Sequence, residues 1–202
     1  QPFSDTSIDS LQYLTTAQAI DDYGYFHDNY NQTLSNYPWL IVGGSYPGLL
    51  SAFTIKKYPQ KFFAAISSAG VVFANDNLTM FDTQIAISMG QECASIARQT
   101  RMAIDDLIES DPEYLYHLFN LSQNFTKADL YFMFADIFSL GPQYGDRAHL
   151  CGALLDAHVK GSDTVVAFAK YANEVFVPKF GSLESYSTGY LQMQSATNES
   201  AS

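Results

Sequence analysis

A serine set among glycines, Gly43-Gly44-Ser45-Tyr46-Pro47-Gly48, is the stretch of this chain best suited to chemistry. A serine hydroxyl becomes a useful nucleophile when the backbone presents it beside a proton acceptor and beside N–H groups that receive developing negative charge. The geometry that does this is a strand-to-helix turn. Its neighbours must be small, because the serine backbone is strained and the helix packs close to the strand. Pro47 breaks the last position of the G-x-S-x-G pattern, but the first turn of a helix has no use for the N–H it removes. Alone, these six residues would also fit an ordinary glycine-rich turn carrying a solvated serine.

The flanking residues favour the elbow. Tyr37-Pro38-Trp39-Leu40-Ile41-Val42 predicts a short buried strand, opened by a proline and rich in β-branched and aromatic residues. Leu49 to Tyr58 predicts a helix that Pro59 stops. Ser45 is then expected as nucleophile and the Tyr46 N–H as oxyanion donor, with Gly43, Gly44, Pro47 and Gly48 shaping the turn.

Thr15 and Gln18 have capping-box spacing and predict a helix whose apolar face carries Ala19, Ile20, Tyr23 and Phe26. His27 lies in that helix and is given no role. Downstream, Lys61 to Ser68 predicts a second, parallel strand. Ser67 and Ser68 end it where sites of open α/β folds collect, and are expected to satisfy local backbone groups, with lining of the pocket the alternative.

Past the polar break Asn75-Asp76-Asn77 the pattern turns helical. Met80 to Ile108 is interrupted at Gly90, and Asp111-Pro112 starts a helix to Leu121. Thr126 caps Ala128 to Leu140, stopped by Gly141-Pro142. Asp146 caps a helix to Val159, ended by Gly161, and Ser162-Asp163 start the last one, Thr164 to Val177, ended by Pro178. The expected organisation is an α/β piece over 1–74, a helical domain over 75–180 and a weakly structured tail over 181–202.

Composition narrows the function classes. The formal charge is −11 with no basic cluster, which argues against nucleic acid or an anionic membrane surface as partner. No stretch approaches the ~20 apolar residues of a membrane span. Asn31, Asn77, Asn120, Asn124 and Asn198 each open a glycosylation sequon. Cys93 and Cys151 are the only cysteines, and suit either one disulfide or two buried thiols. The start, Gln1-Pro2-Phe3-Ser4, has neither the charge nor the apolar run of a leader, so a piece of a longer precursor is expected.

Several stretches together resemble the serine carboxypeptidases related to lysosomal Pro-Xaa carboxypeptidase, dipeptidyl peptidase II and thymus-specific serine protease. These are the elbow with Lys57-Tyr58-Pro59, Leu11 to Ala19, Ala64 to Ala69, Phe81 to Ala86, Cys93, Gln143-Tyr144-Gly145 and Leu150-Cys151. The resemblance implies an α/β fold: a partial α/β-hydrolase core, nucleophile-elbow strand and helix, with a mostly helical inserted cap. It implies a secreted or lysosomal (vacuolar) serine exopeptidase cutting next to proline or small residues near a chain end. Ser45 would be its nucleophile, and Cys93–Cys151 would staple the cap.

In that family the triad's acid and base follow the cap, which puts them past residue 202 and leaves this stretch inactive by itself. His117, His149 and His158 sit in expected cap helices, and none is assigned as the base. Two parallel strands alone also make an incomplete sheet. Tyr114, Phe119, Phe132, Phe134 and Phe138 would either line a proline-sized pocket or, as most aromatics do, fill the cap core. The expected partner is a peptide substrate, with a homodimer left open; no cofactor and no metal are expected. A lipase or esterase on the same scaffold, or a non-catalytic helical binding module, are the alternatives.

Overall fold

Two units divide the chain, Gln1–Asp76 and Asn77–Ser202. The computed structural model describes residues 7–34, 37–77, 79–122 and 124–199, without the side chains of 31–34 and 194–199; the sequon asparagines Asn31 and Asn198 therefore fall outside the described side chains.

The first unit runs α1 (Ile8–Leu11), α2 (Thr16–Leu34), β1 (Leu40–Gly44), α3 (Tyr46–Lys57) and β2 (Ala64–Ser68). The strands pair in parallel, in register from Leu40↔Ala64 to Gly44↔Ser68, with α3 as the crossover. Thr15 opens α2: its hydroxyl accepts the Gln18 N–H at 3.2 Å and donates to Gln18 Oε1 at 2.8 Å. The buried face of α2 is Ile20, Gly24 and His27, whereas Tyr23 and Phe26 are exposed.

Gly24 explains the rotation. A Cβ there would lie 2.8 Å from the Tyr58 ring, so that ring lies against bare helix backbone and draws this side of α2 inward. Asp21 then meets Lys57 and the Tyr58 hydroxyl, and Asp28 meets Lys61 at 2.5 Å. His27 packs against Trp39 and Phe62, with ring centroids 5.3 and 5.6 Å away.

The expectation of a buried strand needs correction. Leu40, Val42 and Ile66 are 54%, 61% and 50% exposed, because β1 and β2 show α3 one face and leave the other uncovered among the described residues. The strand also begins at Leu40 rather than Tyr37.

The second unit is helical: α4 (Thr79–Met89), α5 (Gln91–Ser110), α6 (Pro112–Phe119), α7 (Lys127–Gln143), α8 (Arg147–Val159) and α9 (Thr164–Tyr171). A π-helical turn (Ala172–Phe176), α10 (Val177–Phe180), a 3₁₀ turn (Leu183–Tyr186) and α11 (Thr188–Glu199) complete it. Gly90, at φ 84°, separates α4 from α5. Asp111 caps α6 through the Tyr114 N–H at 3.2 Å, and Asp163 caps α9 through the Val165 N–H at 2.7 Å. Thr126 and Asp129 form a complete capping box on α7.

The core centres on Phe119, Phe134 and Phe168, with centroids 4.8 to 6.4 Å apart, beside the fully buried Ile104, Ile108 and Met133. Phe138 stacks on Phe168 at 4.1 Å, whereas Phe132 and Tyr114 face outward. Phe119 and Phe134 are thus core packing residues. Cys93 and Cys151 are bridged, tying α5 to α8 across a sequence separation of 58. Among the described residues no helix is long and apolar enough to cross a membrane.

Two helix stops and part of the tail differ from expectation. Gly141-Pro142 does not stop α7, which runs on to Gln143. Gly141 is buried, and a Cβ there would lie 2.5 Å from the Tyr171 hydroxyl oxygen, so the bare backbone makes room for that ring. Pro178 does not stop the helix before it either: the π turn Ala172–Phe176 comes just before α10, and its wider winding eases the clash of the proline ring with the preceding turn. The first part of the segment expected to be a loose tail, Leu183–Tyr186 and the start of α11, is held by three carboxylates. Asp129 accepts from the Thr188 hydroxyl at 2.6 Å, Asp136 from the Tyr186 hydroxyl at 2.5 Å, and Glu184 from Ser122 Oγ at 2.7 Å.

Candidate active site

Ser45 follows β1 directly and stands at the N-cap of α3, with φ 57° and ψ −124°. Only three non-glycine residues among those described have positive φ: Ser45, Ala69 and Asn120. Such a conformation costs an L-residue about 1–2 kcal/mol and persists where surrounding bonds impose it. Here the Ser45 N–H donates to the Ser68 carbonyl at 2.9 Å, and the Ser45 carbonyl accepts the Leu49 N–H at 3.2 Å. Its hydroxyl makes no capping bond to the helix, has no partner among the described residues, and is exposed.

The turn closes because its neighbours lack side chains. A Cβ on Gly43 would lie 2.0 Å from the Pro47 carbonyl oxygen, and one on Gly48 would lie 2.9 Å from both Gly70 Cα and the Ser68 oxygen. Gly44 is different: a Cβ there meets its nearest atom, the Ser68 oxygen, at an ordinary 3.8 Å.

Among the described residues the Tyr46 N–H, at the first position of α3, has no backbone acceptor, and Pro47 after it has no N–H. A free amide at the positive end of a helix dipole, next to an exposed serine oxygen, can stabilise an oxyanion. The Tyr46 hydroxyl is 3.0 Å from Thr16 Oγ1, which ties the side chain beside the serine to the start of α2.

Of the four histidines, His27 shares this unit. It packs on Trp39 and Phe62, which precede β1 and β2, whereas Ser45 follows β1. Five strand residues at ~3.3 Å each place roughly 17 Å between those two ends of the sheet, so His27 is no base for Ser45. His117, His149 and His158 belong to the helical unit.

Sequence reasoning missed one pair in that unit. His149 Nδ1 is 2.9 Å from Asp146 Oδ1, and Lys179 approaches the same oxygen at 3.2 Å. Asp146, its side chain 4% exposed, makes no capping bond to α8. Burial pushes its carboxyl up, yet bonds from His149 and Lys179 prevail and hold it below the usual carboxylate range. The three-residue spacing of Asp146 and His149 on a helix was the available signal.

Comparison with known proteins adds the family. Residues 1–198 match the family described as serine carboxypeptidase S28. The chain is 30% identical over 211 residues to "Probable serine protease EDA2" of Arabidopsis thaliana, an alignment covering 99% of this chain and 43% of that protein. It is 28% identical over 112 residues to the thymus-specific serine protease of Mus musculus, covering 50% and 22% of the two chains. With the lysosomal Pro-X carboxypeptidase of Homo sapiens it shares 32% over 83 residues, 38% of this chain and 17% of that one. The chain spans less than half the length of these relatives, and no solved structure matches it. A match reaching over nearly all its residues, with an exposed serine on a strand-to-helix turn inside it, establishes that this chain belongs to the serine carboxypeptidase S28 family.

Proposed function

We propose that Ser45 is the nucleophile of a serine exopeptidase acting next to proline or small residues near a peptide terminus, and that these residues form part of a longer enzyme. In this reading the first unit is part of an α/β-hydrolase core and the second is its helical cap. The observation that carries it is the left-handed φ of Ser45, an exposed serine at the corner between β1 and α3. Family membership supports the same chemistry, and the names of relatives that act as carboxypeptidases support the exopeptidase class.

The reaction is acyl transfer. Ser45 Oγ forms a bond to the scissile carbonyl carbon and gives its proton to a histidine, assigned with its acidic partner to a part of the longer chain beyond these residues. The carbonyl oxygen becomes an oxyanion facing the Tyr46 N–H. As the carbon–nitrogen bond breaks, the histidine returns the proton to the leaving amine. Water then attacks the acyl-enzyme and frees Ser45. A secreted or lysosomal location is supported by the Cys93–Cys151 bridge and by the exposed sequon asparagines Asn77, Asn120 and Asn124.

The test uses the full-length protein, a fluorophosphonate probe, proline-containing peptides and p-nitrophenyl esters. Labelling at Ser45, with peptide turnover abolished by Ser45→Ala and the fold intact, is expected. Turnover retained by Ser45→Ala refutes the assignment. Esters cleaved to the exclusion of peptides would move it to a lipase or esterase, and absence of labelling to a non-catalytic module.

A further inference from the structure

The last two residues of β2, Ser67 and Ser68, and the turn that follows through Ala69 and Gly70 touch the elbow at several points. The Ser68 carbonyl accepts the Ser45 N–H at 2.9 Å. The Ser67 hydroxyl donates to the Gly48 carbonyl, in the first turn of α3, at 2.8 Å. From the helix side, the buried Ser51 hydroxyl lies 2.9 Å from that carbonyl and 3.0 Å from the Ile66 carbonyl of β2. One hydroxyl hydrogen serves one acceptor at a time. With Ser67 on Gly48, Ser51 is free to donate to Ile66, and strand and helix are stitched in both directions.

Backbone packing completes the contact. A Cβ on Gly70 would meet the Gly48 carbonyl carbon at 2.9 Å and Ser67 Oγ at 2.3 Å, so the turn lies directly on the elbow helix. It gets there through Ala69, at φ 46°. Gly44 and Ser68 are register partners, so the residues that follow them, Ser45 and Ala69, are two left-handed residues at the same end of adjacent strands. Strain of this kind persists where the surroundings over-determine it.

We propose that the Ser67–Gly70 segment, the end of β2 and the turn after it, is the positioning device of the nucleophile: it fixes the first turn of α3 and the Ser45 backbone, and so aims the serine oxygen at the carbon, and the Tyr46 N–H at the oxygen, of one reacting carbonyl. The inference rests on Ser45 being the nucleophile. Ser67 and Ala69 act through Ser45 and are positioning residues, not catalytic ones.

The experiment compares Ser67→Ala, Ser67→Thr and Ala69→Gly with wild type in the full-length protein. It measures the second-order rate of fluorophosphonate labelling at Ser45, kcat and KM for a peptide, and Tm. Ser67→Ala should lower the labelling rate and kcat by about five- to tenfold at unchanged KM, the loss expected for one hydrogen bond. Ser67→Thr keeps the hydroxyl and should recover most of that loss. Ala69→Gly adopts the same φ without strain, so it should hold or raise Tm while slowing labelling by a similar factor. Wild-type labelling rates in both Ser67→Ala and Ala69→Gly overturn this inference alone. A wild-type protein that takes no label at Ser45 overturns the nucleophile assignment, and this inference with it.

Discussion

The three glycines of the elbow should rank steeply under replacement by alanine. At Gly43 the new Cβ falls 2.0 Å from the Pro47 oxygen and 2.2 Å from its carbon, well inside contact distance and against backbone that no rotamer change can clear. The turn must open by more than an ångström, a cost of more than ~3 kcal/mol by the measure of overpacked cores. At Gly48 the closest contacts are 2.9 Å, again to backbone, and a shift of a few tenths of an ångström sets the cost at about 1–3 kcal/mol. Gly44→Ala meets nothing nearer than 3.8 Å and should lie within about 0.5 kcal/mol of wild type. The assay is denaturant unfolding followed by tryptophan fluorescence. Trp39 is the only tryptophan and packs edge-on to Phe26 and His27, so it reports on the first unit. Fluorophosphonate labelling run in parallel should be lost in Gly43→Ala, reduced in Gly48→Ala and kept in Gly44→Ala. Gly43→Ala as stable and reactive as Gly44→Ala would refute the close-packed elbow.

Removing the bridge by Cys93→Ser with Cys151→Ser should destabilise the helical unit by roughly 4 kcal/mol in the chain-entropy account of a loop this long, read as a lower midpoint by circular dichroism. Asp129 gives a pH dependence. Burial raises its carboxyl, but bonds from Thr188 and Thr126 outweigh this and hold it below its usual value. Its stabilising contribution is therefore present above about pH 4, where the unfolded carboxyl ionises, and lost as pH falls through the lower folded value. Asp129→Asn should flatten that acid limb; an unchanged limb would exclude Asp129 as its source.

Much of the architecture was legible because its signals are local. Asp111, Thr126 and Asp163 cap helices through bonds two or three residues away, and Gly90 breaks a helix with its own backbone. The strand-turn-helix around Ser45 was legible for the same reason. What the sequence hid depends on partners far along the chain. Asp146 looks like a cap but spends its carboxylate on His149 and on Lys179, the latter from a different helix. Gly141-Pro142 looks like a stop, yet Gly141 makes room for Tyr171. The buried side of α2 was misjudged because Tyr58, more than thirty residues on, selects it. Ser67 was read as a local backbone partner, whereas its acceptor is the Gly48 carbonyl of the preceding helix.

Pro47 has a consequence for how the elbow keeps its shape. Its ring locks one backbone torsion in the turn even when the chain is unfolded, so less disorder must be given up when the corner forms. The same ring removes an amide hydrogen from the first turn of α3, next to the Tyr46 N–H. The turn gives up a donor and gains a stiff corner, and a Pro47→Ala variant would reverse that exchange.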